Sequence, residues 1–253
     1  MPNQPLTLCE ANNVDQLLVR GSRPESYFAA TDEASFLWRT DFIKDFLART
    51  LSAKIPILRM HSFLTILCSY HGQIFNASEI ARSLMVSDKT VRNYLDILAG
   101  SFMIRILQPW TENIQKRQIK TPKIYFRDSG IFNALSSIHS LTALAKTPKI
   151  GGLWEGFALE QVINCLQFKP TECYFWSTSN EAELDLLAFK NGKRYGFEFK
   201  YTDSPKTTKS IHIALEALKL DHLYIIFPGT TSFPISDKVT ACGLERLDER
   251  VLR

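Results

Sequence analysis

Two adjacent residues, Asn191 and Gly192, separate two segments in which apolar and polar residues alternate. A two-residue Asn-Gly loop favours a type I′ turn, because both of its central positions need a positive φ angle. Such a loop also fixes the register of the two strands that it connects. Counting outwards from the turn, Asp185 comes to lie opposite Glu198. The sequence therefore predicts a β-hairpin over residues 183–201 that holds two carboxylates face to face.

The same counting assigns the remaining hairpin residues to two faces. We expect one face to be apolar, formed by Leu184, Leu186, Ala188, Tyr195, Phe197 and Phe199. On the other face, Glu183 is expected opposite Lys200, beside the pair of Asp185 and Glu198. The alternative is a half-exposed hairpin whose polar face simply carries charged residues and an ordinary ion pair.

The paired acids are a candidate metal site. Like charges that face each other across two strands are destabilising unless something neutralises them. Mg²⁺ would do so, because it takes oxygen ligands from carboxylates, water and substrate phosphates. Lys200 lies two residues beyond Glu198 on the same face, where its ammonium group could orient a water or stabilise phosphate charge.

The pattern Asp185, Glu198-x-Lys200 resembles the core motif of the PD-(D/E)XK nucleases, which lies on a hairpin of this kind. In that superfamily a Glu from the preceding helix often joins the metal site. The resemblance implies that Glu155, which ends a Gly-x-x-x-Glu pattern, is this residue, with Glu160 as the alternative. It further implies a restriction-endonuclease-like fold, with Asp185, Glu198 and Glu155 as catalytic Mg²⁺ ligands and Lys200 as the catalytic ammonium group.

Three helices followed by two strands are predicted before this region. The apolar segment 57–69 is typical of a buried helix, and Asn76 can cap a short second helix. Ser87 can cap a third helix, whose apolar residues recur at helical spacing at Val91, Tyr94, Leu95 and Leu98. Residues 102–107 and 123–126 are typical of strands. This order of elements is that of a winged helix.

Basic residues of the predicted winged helix are candidates for contact with nucleic acid. The third helix would expose Lys89, Arg92 and Asn93 opposite its apolar stripe. The connection between the two strands adds a basic cluster of Lys116, Arg117, Lys120 and Lys123. Such residues can neutralise phosphates while a helix enters the major groove of DNA. The alternative is a solvated basic face on a domain that packs against protein.

Several motifs together resemble one known arrangement. They are Lys116-Arg117-x-x-Lys120-x-Pro122-Lys123-x-Tyr125-Phe126-x-Asp128-x-Gly130, Phe175-Trp176, Glu183-x-Asp185 and Arg20-Gly21-x-x-Pro24-Glu25-x-Tyr27. Over nearly its whole length, the chain resembles the C-terminal region of predicted prokaryotic AAA+ ATPases, whose last domain is of unknown function. The resemblance implies a helical lid remnant over residues 1–55, a winged helix over 56–148 and a nuclease-like domain over 149–253. The expected fold class is α+β, with an α/β arrangement in the last domain.

ATP hydrolysis is not expected. The sequence contains no G-x-x-x-x-G-K-[ST] motif, and Gly192-Lys193 is followed by Arg. A phosphate-binding loop of that type is what an ATPase of this class needs. We therefore expect no ATP cofactor, and either a shortened relative of the ATPases or an ATPase half that is encoded separately or was lost.

Composition excludes some classes of protein. The chain has 253 residues, of which 45% are hydrophobic, enough for packed cores, and its net charge of +4 permits a DNA partner without requiring one. No apolar run approaches the roughly 20 residues of a membrane span, and the first ten residues show no basic stretch followed by an apolar core, so we expect neither membrane insertion nor export. The cysteines are widely spaced and form no C-x-x-C pair, which favours free thiols and a cytoplasmic location.

Two hypotheses for function follow. In the first, the chain is a cytoplasmic DNA-binding protein that hydrolyses phosphodiester bonds with Mg²⁺ at the hairpin. In the second, it is a non-catalytic module that binds DNA or a protein partner, and the nuclease fold is only a scaffold.

Overall fold

The computed structural model describes residues 5–8, 10–11, 13–50, 55–111, 121–178, 182–248 and 252. The chain divides into two units, a first unit of residues 1–106 with 124–156 and a second unit of residues 107–123 with 157–253. This division differs from the expected boundaries at residues 55 and 148. Residues 1–55 share a unit with the helices that follow them, and the later boundary falls inside a continuous helix.

The first unit is mainly helical. Its helices are α1 (Val14–Arg20), α2 (Pro24–Tyr27), α3 (Asp32–Thr50), α4 (Ile57–Leu67), α5 (Ala77–Leu84), α6 (Asp88–Gly100), α7 (Ser129–Leu135), α8 (Leu141–Ala145) and the start of α9 (Ile150–Cys165). Three strands run through it in the spatial order β1 (Gln73–Ile74), β3 (Lys123–Phe126) and β2 (Ile104–Pro109). Residue 123 and residues 107–109 of these strands belong to the second unit. Within the described ranges, no helix is both long and apolar enough to span a membrane.

Local sequence explains where α6 begins and which side it buries. The hydroxyl of Ser87 accepts a hydrogen bond from the amide of Thr90 at 3.1 Å, as expected of an N-cap. The four apolar residues expected on one side, Val91, Tyr94, Leu95 and Leu98, are all buried. The strand that follows begins at Ile104 rather than at residue 102, because Phe102 has a φ of 61° and its side chain is exposed.

In the first unit, the motif that begins with Arg20-Gly21 contacts the motif that ends with Asp128-x-Gly130, where the end of α1 meets the start of α7. The carboxylate of Asp128 accepts hydrogen bonds from the amide of Ser22 at 2.8 Å and from the amide of Ile131 at 2.9 Å. A Cβ at Gly21 would lie 2.2 Å from this carboxylate, and one at Gly130 would lie 2.2 Å from the last carbonyl oxygen of α1. Both glycines therefore allow a close approach that a larger residue would prevent.

The second unit contains a mixed sheet. Its elements are β4 (Cys173–Ser177), β5 (Glu183–Lys190), β6 (Lys193–Phe199), α10 (Lys209–Ala217), β7 (His222–Phe227), β8 (Ser232–Ser236), β9 (Val239–Gly243) and the rest of α9. The end of β2 pairs parallel with β4, and β4–β5 and β5–β6 are antiparallel. Strands β6–β7 and β7–β9 are parallel, whereas β8 is antiparallel to β9 at the sheet edge. The chain is thus of mixed α and β class.

A buried apolar cluster joins α10 to this sheet. It contains Leu184, Leu187, Ile211, Ala214, Leu223 and Ile225, among others. Strand β6 contributes Gly196, where a Cβ would lie 2.6 Å from Leu220 and 3.2 Å from Leu223. The glycine lets the side chains beneath α10 pack directly on the strand, which fixes the middle of the hairpin in the core.

Candidate active site

The hairpin turn is confirmed at the predicted residues. Asn191 has a φ of 53° and Gly192 a φ of 76°, as a type I′ turn requires. Five pairs join the two strands in the expected register: Leu186 with Phe197, Leu187 with Gly196, Ala188 with Tyr195, Phe189 with Arg194 and Lys190 with Lys193. The local sequence thus sets the register close to the turn.

Farther from the turn than Leu186, the predicted alternation of β5 side chains between the two faces of the sheet is wrong. Opposite β4, Tyr174 pairs with Leu187 but Trp176 pairs with Leu184, so β5 has one residue more than β4 in this interval. A bulge of this kind reverses which face the following side chains occupy. Leu184 accordingly lies with Leu187 in the cluster under α10, and not with Leu186 as expected.

The bulge places Asp185 differently from a simple cross-strand partner of Glu198. Its Oδ2 accepts a hydrogen bond from the amide of Phe199 at 2.9 Å, so the side chain takes the position of a ladder carbonyl. The residue is only 8% exposed. Burial raises the pKa of the Asp185 carboxyl, while the charge of Lys123, the Phe199 amide and the charge of Lys200 act in the opposite direction.

Lys200 links the two predicted acids. Its Nζ lies 2.7 Å from Oε1 of Glu198, which is 5% exposed. The same ammonium charge opposes the rise in the pKa of Asp185 that burial causes. The structure therefore brings Asp185, Glu198 and Lys200 together at one end of the hairpin, although no ladder pair joins the two acids. Two nearly buried carboxylates near an ammonium group, one of them with a pKa that burial raises, are a candidate for chemistry.

Lys123 has a different place from the one expected in the basic cluster of the wing. Its side chain is 6% exposed and forms an ion pair with Glu183, which is 47% exposed. The Nζ also lies 5.6 Å from the ring centroid of Phe175. Buried among these groups, Lys123 is not available as a surface contact for DNA phosphates. It is instead a second ammonium group of the hairpin site, at the start of a strand whose four residues are all buried.

The expected third ligand, Glu155, has a partner of its own in the first unit. Its Oε1 accepts a hydrogen bond from the hydroxyl of Tyr125 at 2.7 Å. The alternative, Glu160, is buried in the part of α9 that belongs to the second unit. Across the described ranges, no three His, Cys, Asp or Glu side chains are grouped as metal ligands usually are. A role of Glu155 or Glu160 at a metal stays a prediction.

The candidate DNA-contacting residues of α6 lie at the surface. Lys89, Arg92 and Asn93 are exposed, opposite the buried stripe of the helix, as the helical period predicts. Lys116, Arg117 and Lys120 lie outside the described residues.

Two family models match parts of this chain. Residues 11–142 match the family described as a domain of unknown function, DUF8612, over more than half of the chain. The chain belongs to this family. In this DUF8612 protein, residues 150–247 also match a second domain of unknown function, DUF4143, which is associated with AAA ATPases.

Relatives of this DUF8612 protein occur in mycobacteria. It is 43% identical over 236 residues to an uncharacterized protein of Mycobacterium tuberculosis and to one of Mycobacterium bovis. Each alignment covers 92% of this chain and 53% of the relative, so the chain spans about half the length of these proteins. No solved structure matches the chain significantly.

Proposed function

We propose that this protein binds DNA and hydrolyses phosphodiester bonds with Mg²⁺ at the hairpin end that holds Asp185, Glu198 and Lys200. The observation that carries the proposal is the buried Asp185 carboxylate, seated on the Phe199 amide beside the ion pair of Lys200 and Glu198. Burying the two carboxylates of Asp185 and Glu198 costs free energy, and a functional role would explain why the fold bears that cost. The proposal includes the finer fold assignment, a winged helix in the first unit and a restriction-endonuclease-like second unit.

The donor set suits a hard divalent cation. Asp185 and Glu198 would hold it, because Mg²⁺ is commonly bound by one or two carboxylates together with water and phosphate oxygens. When bound, the cation would supply charge stabilisation for the phosphate and an acidified water. The two carboxylates are fixed before any ligand arrives, one by a backbone amide and the other by an ammonium group.

The remaining chemistry falls to the protein's own side chains. The ammonium group of Lys200 would donate hydrogen bonds to a non-bridging phosphate oxygen, where negative charge increases during attack by water. The charge of Lys123 would favour the ionised form of Asp185, because it opposes the rise in the pKa that burial causes. An ionised Asp185 is the form that binds a cation.

The exposed side of α6 would supply the contact with DNA. Lys89 and Arg92 would neutralise phosphates, while the amide of Asn93 could hydrogen-bond to a base edge. Removing both charges, in a Lys89→Ala, Arg92→Ala double variant, should weaken binding to a DNA duplex and reduce the slope of log K against log salt by about 1–2. Binding that keeps the same salt slope would show that α6 does not contact the phosphates.

A cleavage assay tests the proposed hydrolysis. Purified chain is incubated with plasmid or single-stranded DNA in Mg²⁺ or Mn²⁺, alongside Asp185→Asn, Lys200→Met and the control Asp203→Asn, an exposed acid in the loop after β6. We expect Asp185→Asn and Lys200→Met to lose about 100-fold or more of the activity, as the loss of a charge-stabilising group typically does. The Asp203→Asn control should cleave normally. No cleavage by the parent chain, or full cleavage by Asp185→Asn, would rule out the proposed site.

A non-catalytic binding module is the second candidate. The observation that favours it is that both ammonium groups of the site are already paired, Lys123 with Glu183 and Lys200 with Glu198. In that case the ion pairs would serve stability, and the partner would be DNA or a protein such as an AAA ATPase. Titration with Mn²⁺ separates the two functions, because the module should show no cation binding that depends on Asp185.

A further inference from the structure

A groove of about 650 Å³ lies on the surface of the first unit, between α4 and the end of α5. Its apolar lining includes Leu58, Ile66, Leu84 and Met85. Leu58 is 83% exposed and Met85 is 93% exposed. Large apolar side chains that are exposed together along one groove are typical of a surface that binds a partner. The function proposed above does not use this groove.

Met85 occupies a backbone position that glycine would fill with less strain. It ends α5 in the left-handed conformation, with a φ of 53° and a ψ of 47°. Glycine is favoured at such a helix end, because a Cβ there comes too close to the following carbonyl oxygen. The exposed methionine side chain has little packing that could offset this strain. Its flexible thioether can, however, adapt to the shape of a partner. Met85 therefore contributes little to the stability of the fold and is available for binding.

The shape of the groove fits a helix of the partner. One side is formed by α4 and the other by the end of α5. Because helices satisfy their own backbone hydrogen bonds, these two sides offer no strand edge that a partner strand could extend. From Leu58 to Ile66, α4 rises about 12 Å, at about 1.5 Å per residue. This length matches about two turns of a partner helix, with apolar residues at i, i+4 and i+7.

The polar lining of the groove carries positive charge. Arg59 is exposed at its edge, and none of the described residues that line the groove is acidic. The hydroxyl groups of Ser62, Thr65 and Ser83 each donate to a carbonyl one turn earlier in their own helix. The guanidinium group of Arg59 would pair with a carboxylate of the partner. A second copy of this surface would bring no acid to Arg59, so the charge favours a different, acidic partner.

We propose that this groove binds an amphipathic helix of a partner protein, whose apolar stripe packs between Leu58 and Met85 and whose acidic residues beside that stripe face Arg59. Burial of the two exposed apolar side chains would supply most of the affinity. Arg59 would select the sign of the partner's charge. The proposal is independent of the hydrolysis proposed for the hairpin.

The variants Leu58→Ser and Met85→Gly remove the two exposed apolar side chains. Met85→Gly also relieves the left-handed strain, so it should unfold at the same urea concentration as the parent chain or at a higher one. A loss of binding by this variant therefore cannot be attributed to unfolding. Leu37→Ser is the matched control, because Leu37 is 63% exposed on α3 and does not line the groove.

Arg59→Glu reverses the charge at the edge of the groove. Its matched control is Arg49→Glu, which changes the net charge of the chain equally but lies on α3, where the Arg49 side chain is 82% exposed. If Arg59 pairs with the partner, only the first variant should change the charge preference of binding.

Fluorescence anisotropy with a labelled helical peptide of about 16 residues tests the proposal. The peptide consists of Leu, Ala and Glu, with its leucines in one helical stripe, and a second peptide has Lys in place of Glu. We expect the Glu peptide to bind the parent chain and the Lys peptide to bind at least about fivefold more weakly. Leu58→Ser and Met85→Gly should each lose about tenfold or more in affinity for the Glu peptide. Leu37→Ser, Arg49→Glu and Asp185→Asn should bind it about as the parent chain does.

Arg59→Glu should bind the Glu peptide more weakly and the Lys peptide more tightly than the parent chain does. The proposal is overturned if the parent chain does not bind the Glu peptide, if the Lys peptide binds equally well, or if Leu58→Ser and Met85→Gly bind like the parent chain. Sedimentation that shows a dimer of the parent chain, dissociated by Leu58→Ser, would also overturn it and assign the groove to a second copy.

Discussion

Replacing Asp185 by Asn is expected to raise the stability of the chain at neutral pH. The cluster around it holds three carboxylates, of Glu183, Asp185 and Glu198, and two ammonium groups, of Lys123 and Lys200. With all five ionised its net charge is −1, and the substitution brings it to zero. An Asn oxygen can still accept the hydrogen bond from the backbone amide that the Asp now accepts. We expect a gain of about 0.5–2 kcal/mol in the free energy of unfolding, the range usual for such stabilising changes.

The pH dependence of this stability gain follows from the direction in which the pKa of Asp185 is shifted. Because burial raises the folded-state pKa of Asp185 above its unfolded value, the stability it contributes is complete below the unfolded pKa. That contribution is lost as the pH rises through the folded pKa. The advantage of Asp185→Asn should therefore be larger at about pH 7.5 than at about pH 4.

Urea denaturation at these two pH values, followed by tryptophan fluorescence, measures the effect. Asp185→Ala serves as the comparison, because it removes the acceptor of the Phe199 amide and should destabilise by about 1–3 kcal/mol. If Asp185→Asn is less stable than the parent chain at neutral pH, or shows no pH dependence relative to it, our reasoning about the buried charge is wrong.

Three further variants test other parts of the structure by the same unfolding measurement. Lys123→Met should lower the free energy of unfolding at neutral pH by about 1–2 kcal/mol. This loss is smaller than that expected for a fully buried ion pair, because Glu183 is half exposed. A variant as stable as the parent chain would contradict the ion pair. Gly130→Ala should lower the free energy of unfolding by about 1–3 kcal/mol or more, because the new Cβ would meet the last carbonyl oxygen of α1. The control Gly100→Ala should not destabilise the chain, because the space around its Cβ is open. Ser87→Ala removes the N-cap of α6 and should cost about 1 kcal/mol, and a change near zero would argue against the cap.

The part of the hairpin near its turn could be predicted from the sequence. Asn191 and Gly192 determine a turn type through their own backbone preferences, and five pairs follow from it without help from the rest of the fold. The bulge between Leu184 and Leu187 depends on pairing with β4, which is a tertiary contact. The alternation of residues in β5 alone could not reveal it, and the face of Leu184 was therefore predicted wrongly.

The role of Lys123 could not be derived from its neighbours in the sequence. A basic connection before a strand is typical of a surface, and only the folded unit brings this side chain to Glu183. Strand β8 is similarly hard to predict, because it contains Pro234 and its side chains are mostly exposed. Its place at the sheet edge explains why the proline is tolerated there.

A crystal grown with Mn²⁺ tests the central claim most directly, because the anomalous scattering of the cation reveals its position. Our account predicts an anomalous peak within coordination distance of the carboxylate oxygens of Asp185 and Glu198, and its loss in Asp185→Asn. The absence of a peak at these carboxylates, with Lys200 still paired to Glu198 at saturating Mn²⁺, would contradict a metal-dependent site on this hairpin.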